Sequence, residues 1–198
     1  LFNVFVFLEI SSVSSYSLIS LGQTRRAPLA AFQYLIIGSI GATFILIGIG
    51  LLYQMTGTLN MADIAARVPQ ENGPRTVLVA FSFLVIGLCV KMAVFPLHTW
   101  LPNAYTYAPS VVTCFIAATA TKVSVYAFIR VIFGIITPGF AFDYLPLDTE
   151  LTILALVGIF VASTAAIYQA NVKRLLAYSS VAQIGYMILG ISMSTPGG

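Results

Sequence analysis

Thr76-Val-Leu-Val-Ala-Phe-Ser-Phe-Leu-Val-Ile-Gly-Leu-Cys-Val-Lys91-Met-Ala-Val-Phe-Pro96-Leu-His-Thr-Trp-Leu-Pro102-Asn-Ala-Tyr-Thr-Tyr107 is the stretch that decides the fold. It is about 32 residues of mostly apolar chain, where one perpendicular membrane span needs about 20. Pro96 and Pro102 lie inside it, and proline removes a backbone donor and clashes with the preceding turn. The stretch therefore predicts a broken helix, with one half from Thr76 to about Lys91 and another from about Phe95 to Ala104. Lys91 falls near the break and near mid-membrane. Broken helices are where transporters place ion sites, because freed backbone groups and helix-end dipoles become available.

The surrounding composition agrees with a membrane setting. The 198 residues are 59% hydrophobic, 13% aromatic and 8% charged, against roughly 25% charged in soluble chains. Mean hydropathy is +0.98. The net charge of +3 is too small and too dispersed for nucleic-acid binding. Cys89 and Cys114 are single, sit in apolar spans and read as packing residues rather than a disulfide. The chain starts Leu1-Phe2-Asn3 without Met or signal-peptide features and stops at Pro196-Gly197-Gly198 just after an apolar run, which reads as an internal piece of a longer polytopic protein.

Six hydrophobic helices are expected in an all-α polytopic membrane protein. Besides the broken one, they run from Leu1 to about Leu21, Leu29 to Tyr53, Ser110 to Ile136, Glu150 to Tyr168 and Arg174 to about Met193. They are apolar nearly all round, as burial in lipid or protein on every side requires. Arg25, Arg26, Lys173 and Arg174 occupy loops on one side with no acid. The opposite loops hold Asp63, Glu71, Asp143, Asp148 and Glu150 against Arg67 and Arg75. The positive-inside rule puts the first side in the cytoplasm. Tyr53, Trp100 and Tyr144 fit an interfacial aromatic belt. Gly158, Ala162 and Ala166, and Gly38 with Ala42, are spaced for close helix packing.

Glu9, Lys91 and Lys122 stand at the centres of spans, where a charge costs about 2.5–3.5 kcal/mol on insertion scales. A chain so sparing of charge suggests a buried ion or proton path there. Glu9, Ser12 and Tyr16 share a helix face, and Ser11, Ser14 and Ser15 add hydroxyls around the carboxylate. The blander reading is a structural ion pair, which still needs Lys91 or Lys122 as partner. Burial disfavours an ammonium and a nearby carboxylate favours it. Unit charges about 4 Å apart attract by roughly 4 kcal/mol at an effective dielectric of 20, so a Glu–Lys pair beside a second Lys can act as a relay with an electrostatic gate.

Further polar groups are placed to join it. Lys122, Tyr126 and Arg130 are four apart and share a face expected to look into the bundle; the alternative for Arg130 is snorkelling to the interface. His98, the single histidine, either passes protons or caps the broken helix. Ser179, Gln183 and Tyr186 form a polar face that either orders waters or bonds between helices. No nucleotide, flavin, iron–sulfur or haem motif is present, so no cofactor, metal site or catalytic chemistry is expected.

Lys91-Met-Ala-Val-Phe-Pro-Leu-His-Thr-Trp-Leu-Pro-Asn-Ala-Tyr-Thr-Tyr-Ala-Pro109, then Thr121-Lys-Val-Ser-Val-Tyr126 with Arg130, and Val172-Lys-Arg-Leu-Leu-Ala-Tyr-Ser-Ser-Val-Ala-Gln-Ile-Gly-Tyr186, resemble the central signature of the antiporter-like membrane subunits. That family includes the L, M and N chains of respiratory complex I (NADH-quinone oxidoreductase) and the large subunits of Mrp-type cation/proton antiporters. The resemblance covers essentially the whole chain. It implies about fourteen helices with two inverted repeats, of which this chain holds family helices five to ten: the first repeat over residues 1–136 and the start of the second over 150–193. It also implies that Glu9, paired to Lys91, and Lys122 form the half of a proton channel through which protons enter, with the exit-side charged residue beyond Gly198. Asn103 stands where many members have Asp, and Gln183 where complex I chains often have His. Gln183 and the segment from Phe2 to Ala66 look more like the D subunit of Mrp antiporters. The resemblance implies exchange of H+ for Na+ or another monovalent cation, alongside other membrane subunits of one inner-membrane complex. The alternative it implies is a proton-pumping subunit of a redox complex, touching quinone only indirectly.

Overall fold

The computed structural model describes residues 1–68, 74–135 and 147–193. Glu71, Ile136, Asp143, Tyr144 and residues 194–198, on which some expectations rest, lie outside the described residues. The fold is all-helical. Among the described residues its helices are α1 (Phe2–Ser20), α2 (Ala27–Thr56), α3 (Met61–Arg67), α4 (Pro74–Met92), α5 (Trp100–Tyr107), α6 (Ser110–Gly134), α7 (Leu147–Ile167) and α8 (Val172–Ser192). Six of them, α1, α2, α4, α6, α7 and α8, are long and apolar enough to cross a membrane.

Local chemistry sets the ends. Pro28 lies in the first turn of α2, where its missing N–H costs nothing. Gly57 closes α2 at φ 67° with its N–H on the Tyr53 carbonyl, a left-handed conformation that glycine adopts without strain. The short α3 is not legible as an element in the sequence. It begins where the Asn60 side chain accepts from the Ala62 N–H, and Arg67 donates to the Thr56 carbonyl at 2.8 Å. That bond satisfies one of the carbonyls left open at the end of α2.

The most extensive pairings are α2 with α4 and α7 with α8. The first is close because a Cβ on Gly87 would lie 2.7 Å from the Gly41 carbonyl oxygen; only glycine lets these backbones approach so nearly. Gly38, Ala42, Gly158, Ala162 and Ala166 are all buried in helix contacts. Outward faces carry exposed Phe7, Phe115 and Phe160, as expected of helices surrounded by lipid or further helices rather than water.

Two expectations about this frame are corrected. Trp100 is not an interfacial belt residue: it is 1% exposed, in the core, because α5 folds back under α2. Tyr53, by contrast, is exposed. Cys114 is not a packing residue inward but lies exposed on α6, whereas Cys89 is buried; both thiols are free.

Candidate functional site

The break in the deciding stretch is a helix end built inside the protein. The Ala93 N–H bonds the Val90 carbonyl and the Val94 N–H bonds the Cys89 carbonyl, with Ala93 at φ 60°. This paired capping pattern ordinarily uses glycine at the left-handed position, and here alanine holds it. Pro96 follows two residues on from Val94 and blocks resumption of the helix. The second half starts at Trp100 rather than near Phe95, because residues 93–99 are consumed by the cap and the turn around Pro96. The Trp100 Nε1–H then donates to the Val90 carbonyl at 3.1 Å, pinning the second half to the end of the first.

Termination at Met92 puts Lys91 in the last turn of α4, where the negative end of the helix dipole favours a cation. The Lys91 side chain is 3% exposed and its Nζ lies 2.5 Å from Oε1 of Glu9, itself 27% exposed. Lys91 also donates to Ser12 Oγ at 2.8 Å. Ser12 in turn donates to the Leu8 carbonyl, so the hydroxyl presents a lone pair to the ammonium. One face of α1 thus supplies a carboxylate and a hydroxyl to one buried amine, and no group of three His, Cys, Asp or Glu able to hold a metal forms among the described residues.

Lys122 is not part of this cluster by direct bonding. It is half-buried and its Nζ folds back onto the Ala117 carbonyl of its own helix at 2.8 Å. The face it shares with Tyr126 and Arg130 does not look into the bundle formed by the described residues. Tyr126 is 62% exposed and Arg130 is exposed; both line an outer groove of about 490 Å³ between α1 and α6 with Phe7 and Ser11. The inward positions of α6 are instead taken by Thr121, Val125 and Phe128, since one helix cannot turn both stripes inward. Gln183 and Tyr186 are likewise exposed on α8, whose inward face carries Val181, Ile184 and Ile188.

His98 lies at the turn of the break. Its ring stacks on Phe95 with centroids 5.4 Å apart and meets Tyr178 of α8 edge-on at 6.3 Å. Its buried Nδ1 has no protein partner among the described residues, so it caps the broken helix through none of them by that atom. Phe95 packs on Gly158, where a Cβ would lie 3.0 Å from its own. The turn of the break is therefore wedged against α7 and α8. Asn103 donates to Gln33 of α2 at 3.1 Å. Tyr34, not singled out from the sequence, stacks on Trp100 at 3.9 Å and takes the edge of Tyr16 at 4.6 Å. Its one signal was a polar-tipped aromatic beside Gln33 in a largely apolar helix.

At the opposite end from Asp63 and Arg67, Arg26 donates to the Tyr107 hydroxyl at 3.1 Å and Lys173 to the Ala108 carbonyl at 3.0 Å. The Tyr107 contact raises the Arg26 guanidinium above its ordinary value. The two basic loops thus meet around a polar cavity of about 420 Å³ lined by Gly22, Gln23, Thr106 and Lys173.

Comparison with known proteins identifies this arrangement. NADH-quinone oxidoreductase subunit N of Desulforudis audaxviator is 49% identical over 98% of this chain and 38% of its own length. The D subunit of the Na(+)/H(+) antiporter of Alkalihalophilus pseudofirmus is 35% identical over 98% of this chain and 39% of its own. The chain thus spans well under half the length of these relatives. Among solved structures, a chain of the membrane-bound sulfane sulfur reductase, an archaeal respiratory membrane complex, superposes with a TM-score of 0.89 at 37% identity over 96% of this chain and 38% of that one. A chain of the Mrp complex from Dietzia sp. DQ12-45-1b gives 0.87 at 30% identity over 99% and 36%. The family described as NADH:quinone oxidoreductase/Mrp antiporter, TM, matches residues 1–198 throughout, and with the six spans and the interrupted helix in place the chain belongs to that family of antiporter-like membrane subunits.

Proposed function

We propose that this chain carries protons part-way across a membrane through Glu9, Lys91 and Lys122, as the half of a channel through which protons enter. The observation that carries the reading is the buried Lys91 amine, held at an internal helix end by one carboxylate and one hydroxyl. A purely structural pair gains little over apolar packing of the same volume, whereas an amine whose proton affinity depends on an acid that can move is a switch. Lys122 is the next basic station, reached through water rather than by contact. His98 is a branch toward α8 rather than a link between the lysines. Tyr126, Arg130 and Gln183 take part only through whatever covers their exposed faces in the whole protein.

The subunit works within a multisubunit membrane complex, with other membrane subunits as partners, and the loops bearing Arg25, Arg26, Lys173 and Arg174 lie in the cytoplasm. Residues 1–136 belong to one repeat and 150–193 open the next. In the antiport reading, protons exchange for Na+ or another monovalent cation, and the likeness to the D subunit of a Na(+)/H(+) antiporter supports it. In the second reading the same residues pump protons under redox drive; the 49% identity to an NADH-quinone oxidoreductase subunit favours this one.

The test uses everted vesicles holding the complete complex, an imposed pH gradient and a pH-sensitive dye. Collapse on adding sodium, potassium or lithium without an electron donor, lost in Lys91→Ala, supports antiport. Acidification only with donor and acceptor, again lost in Lys91→Ala, supports the redox pump. Unchanged proton movement in Lys91→Ala under both conditions overturns the proposal.

A further inference from the structure

At the Lys91–Glu9 pair, the Lys91 ammonium and the neighbouring Tyr16 hydroxyl are buried without enough protein partners among the described residues. An ammonium has three hydrogens to donate. Lys91 donates to Glu9 and Ser12, and no third protein acceptor meets it among the described residues. One turn along the same face of α1 stands Tyr16, 8% exposed, whose hydroxyl meets no protein partner at hydrogen-bond distance among the described residues, with the Ser12 side chain close by. Buried polar groups in proteins are nearly always bonded, to water where not to protein. An unbonded phenol would cost about 1–3 kcal/mol.

The Tyr16 hydroxyl is placed, not loose. Its ring lies edge-on against Tyr34, which stacks on Trp100, and Trp100 is bonded to Val90, the residue before Lys91. The hydroxyl rests on bare backbone of α2: a Cβ added to Gly38 would collide with it. Beyond Tyr16 on the same face comes Ile19, fully buried, and then Leu21 and Gly22 at the cavity between the basic loops. Tyr16 is therefore the last buried polar group of α1 before the cavity between the basic loops, with Ile19 between them.

From this placement we propose that Tyr16 is a positioning residue of the proton path, holding a water that bridges toward Ser12 and the third hydrogen of Lys91, on the side facing the basic loops. The assignment rests on the reading of Glu9, Lys91 and Lys122 as a proton path. When Lys91 is neutral, a proton passes from that water to its amine. A proton arriving from the basic-loop side replaces the one lost, so the water is restored and Tyr16 stays protonated throughout.

The test is Tyr16→Phe in the full-length protein within its complex, with Lys91→Ala beside it. Phenylalanine keeps the ring stack and removes only the hydroxyl. The proton-transport rate is expected to fall roughly three- to tenfold, as loss of one hydrogen bond in the path implies. The thermal midpoint should be unchanged or higher. A high-resolution map of the parent should show a water within bonding distance of Tyr16 Oη that is missing in the variant. Transport equal to the parent in Tyr16→Phe, with Lys91→Ala inactive, overturns this inference alone. Transport unchanged in both variants overturns the proton-path reading itself. A lowered thermal midpoint together with lowered transport assigns the hydroxyl a structural role and also overturns the inference.

Discussion

Removing the charge of Glu9 while keeping its shape should expose how strongly the buried pair is coupled. At 2.5 Å between Nζ and Oε1, two unit charges attract by about 7 kcal/mol at an effective dielectric of 20. Desolvation of the two ions, several kcal/mol each, opposes most of this. The net worth of the pair is therefore small, but an orphaned partner is expensive: breaking a buried pair costs about 3–5 kcal/mol. Glu9 is 27% exposed and recovers some solvation, so Glu9→Gln should cost near the low end, about 3 kcal/mol. Lys91→Met should cost a similar amount by stranding the carboxylate. In the double variant neither charge is stranded, and the loss should fall short of the sum of the singles by at least about 3 kcal/mol. The assay is reversible unfolding of the full-length protein in detergent micelles, run as a double-mutant cycle. Additivity of the two singles to within about 0.5 kcal/mol would mean that the side chains do not interact, and Lys91 could then not be a switch governed by Glu9.

Four other substitutions test the frame around the pair. Ala93→Gly relieves a left-handed alanine and should raise stability by about 1 kcal/mol, read as a higher unfolding midpoint; no gain would show that the break is not held at φ 60°. Gly87→Ala drives a Cβ to 2.7 Å from the Gly41 carbonyl oxygen and should destabilise by about 1–3 kcal/mol, whereas Gly50→Ala, with nothing within 4 Å among the described residues, should be neutral or gain up to about 1 kcal/mol. Trp100→Phe keeps a ring on Tyr34 but removes the indole donor from the Val90 carbonyl, which keeps the Ala93 N–H. It should cost about 0.5–1.5 kcal/mol in the same unfolding assay, and a loss below that range would leave the indole bond without a role in fixing the break.

Composition and proline placement alone determined most of the architecture. Six apolar spans, one of them interrupted, are readable because lipid forbids unpaired backbone and charge, so segment length and the few charged positions carry nearly all the information. The same economy of charge made Glu9, Lys91 and Lys122 conspicuous. The resemblance implied that Glu9 meets Lys91, as it does, but that Lys122 folds back onto its own helix was decided only in three dimensions. Periodicity on an apolar-all-round helix does not say which stripe faces inward, and so the outward turn of Tyr126, Arg130 and Gln183 could not be read from spacing. The ledge that Gly38 offers to Tyr16, the stack of Tyr34 on Trp100 and the capped end at Ala93 depend on how α1, α2, α4 and α5 cross. Those crossings arise from backbone approach at a few small residues, a contact between distant segments that no local pattern encodes.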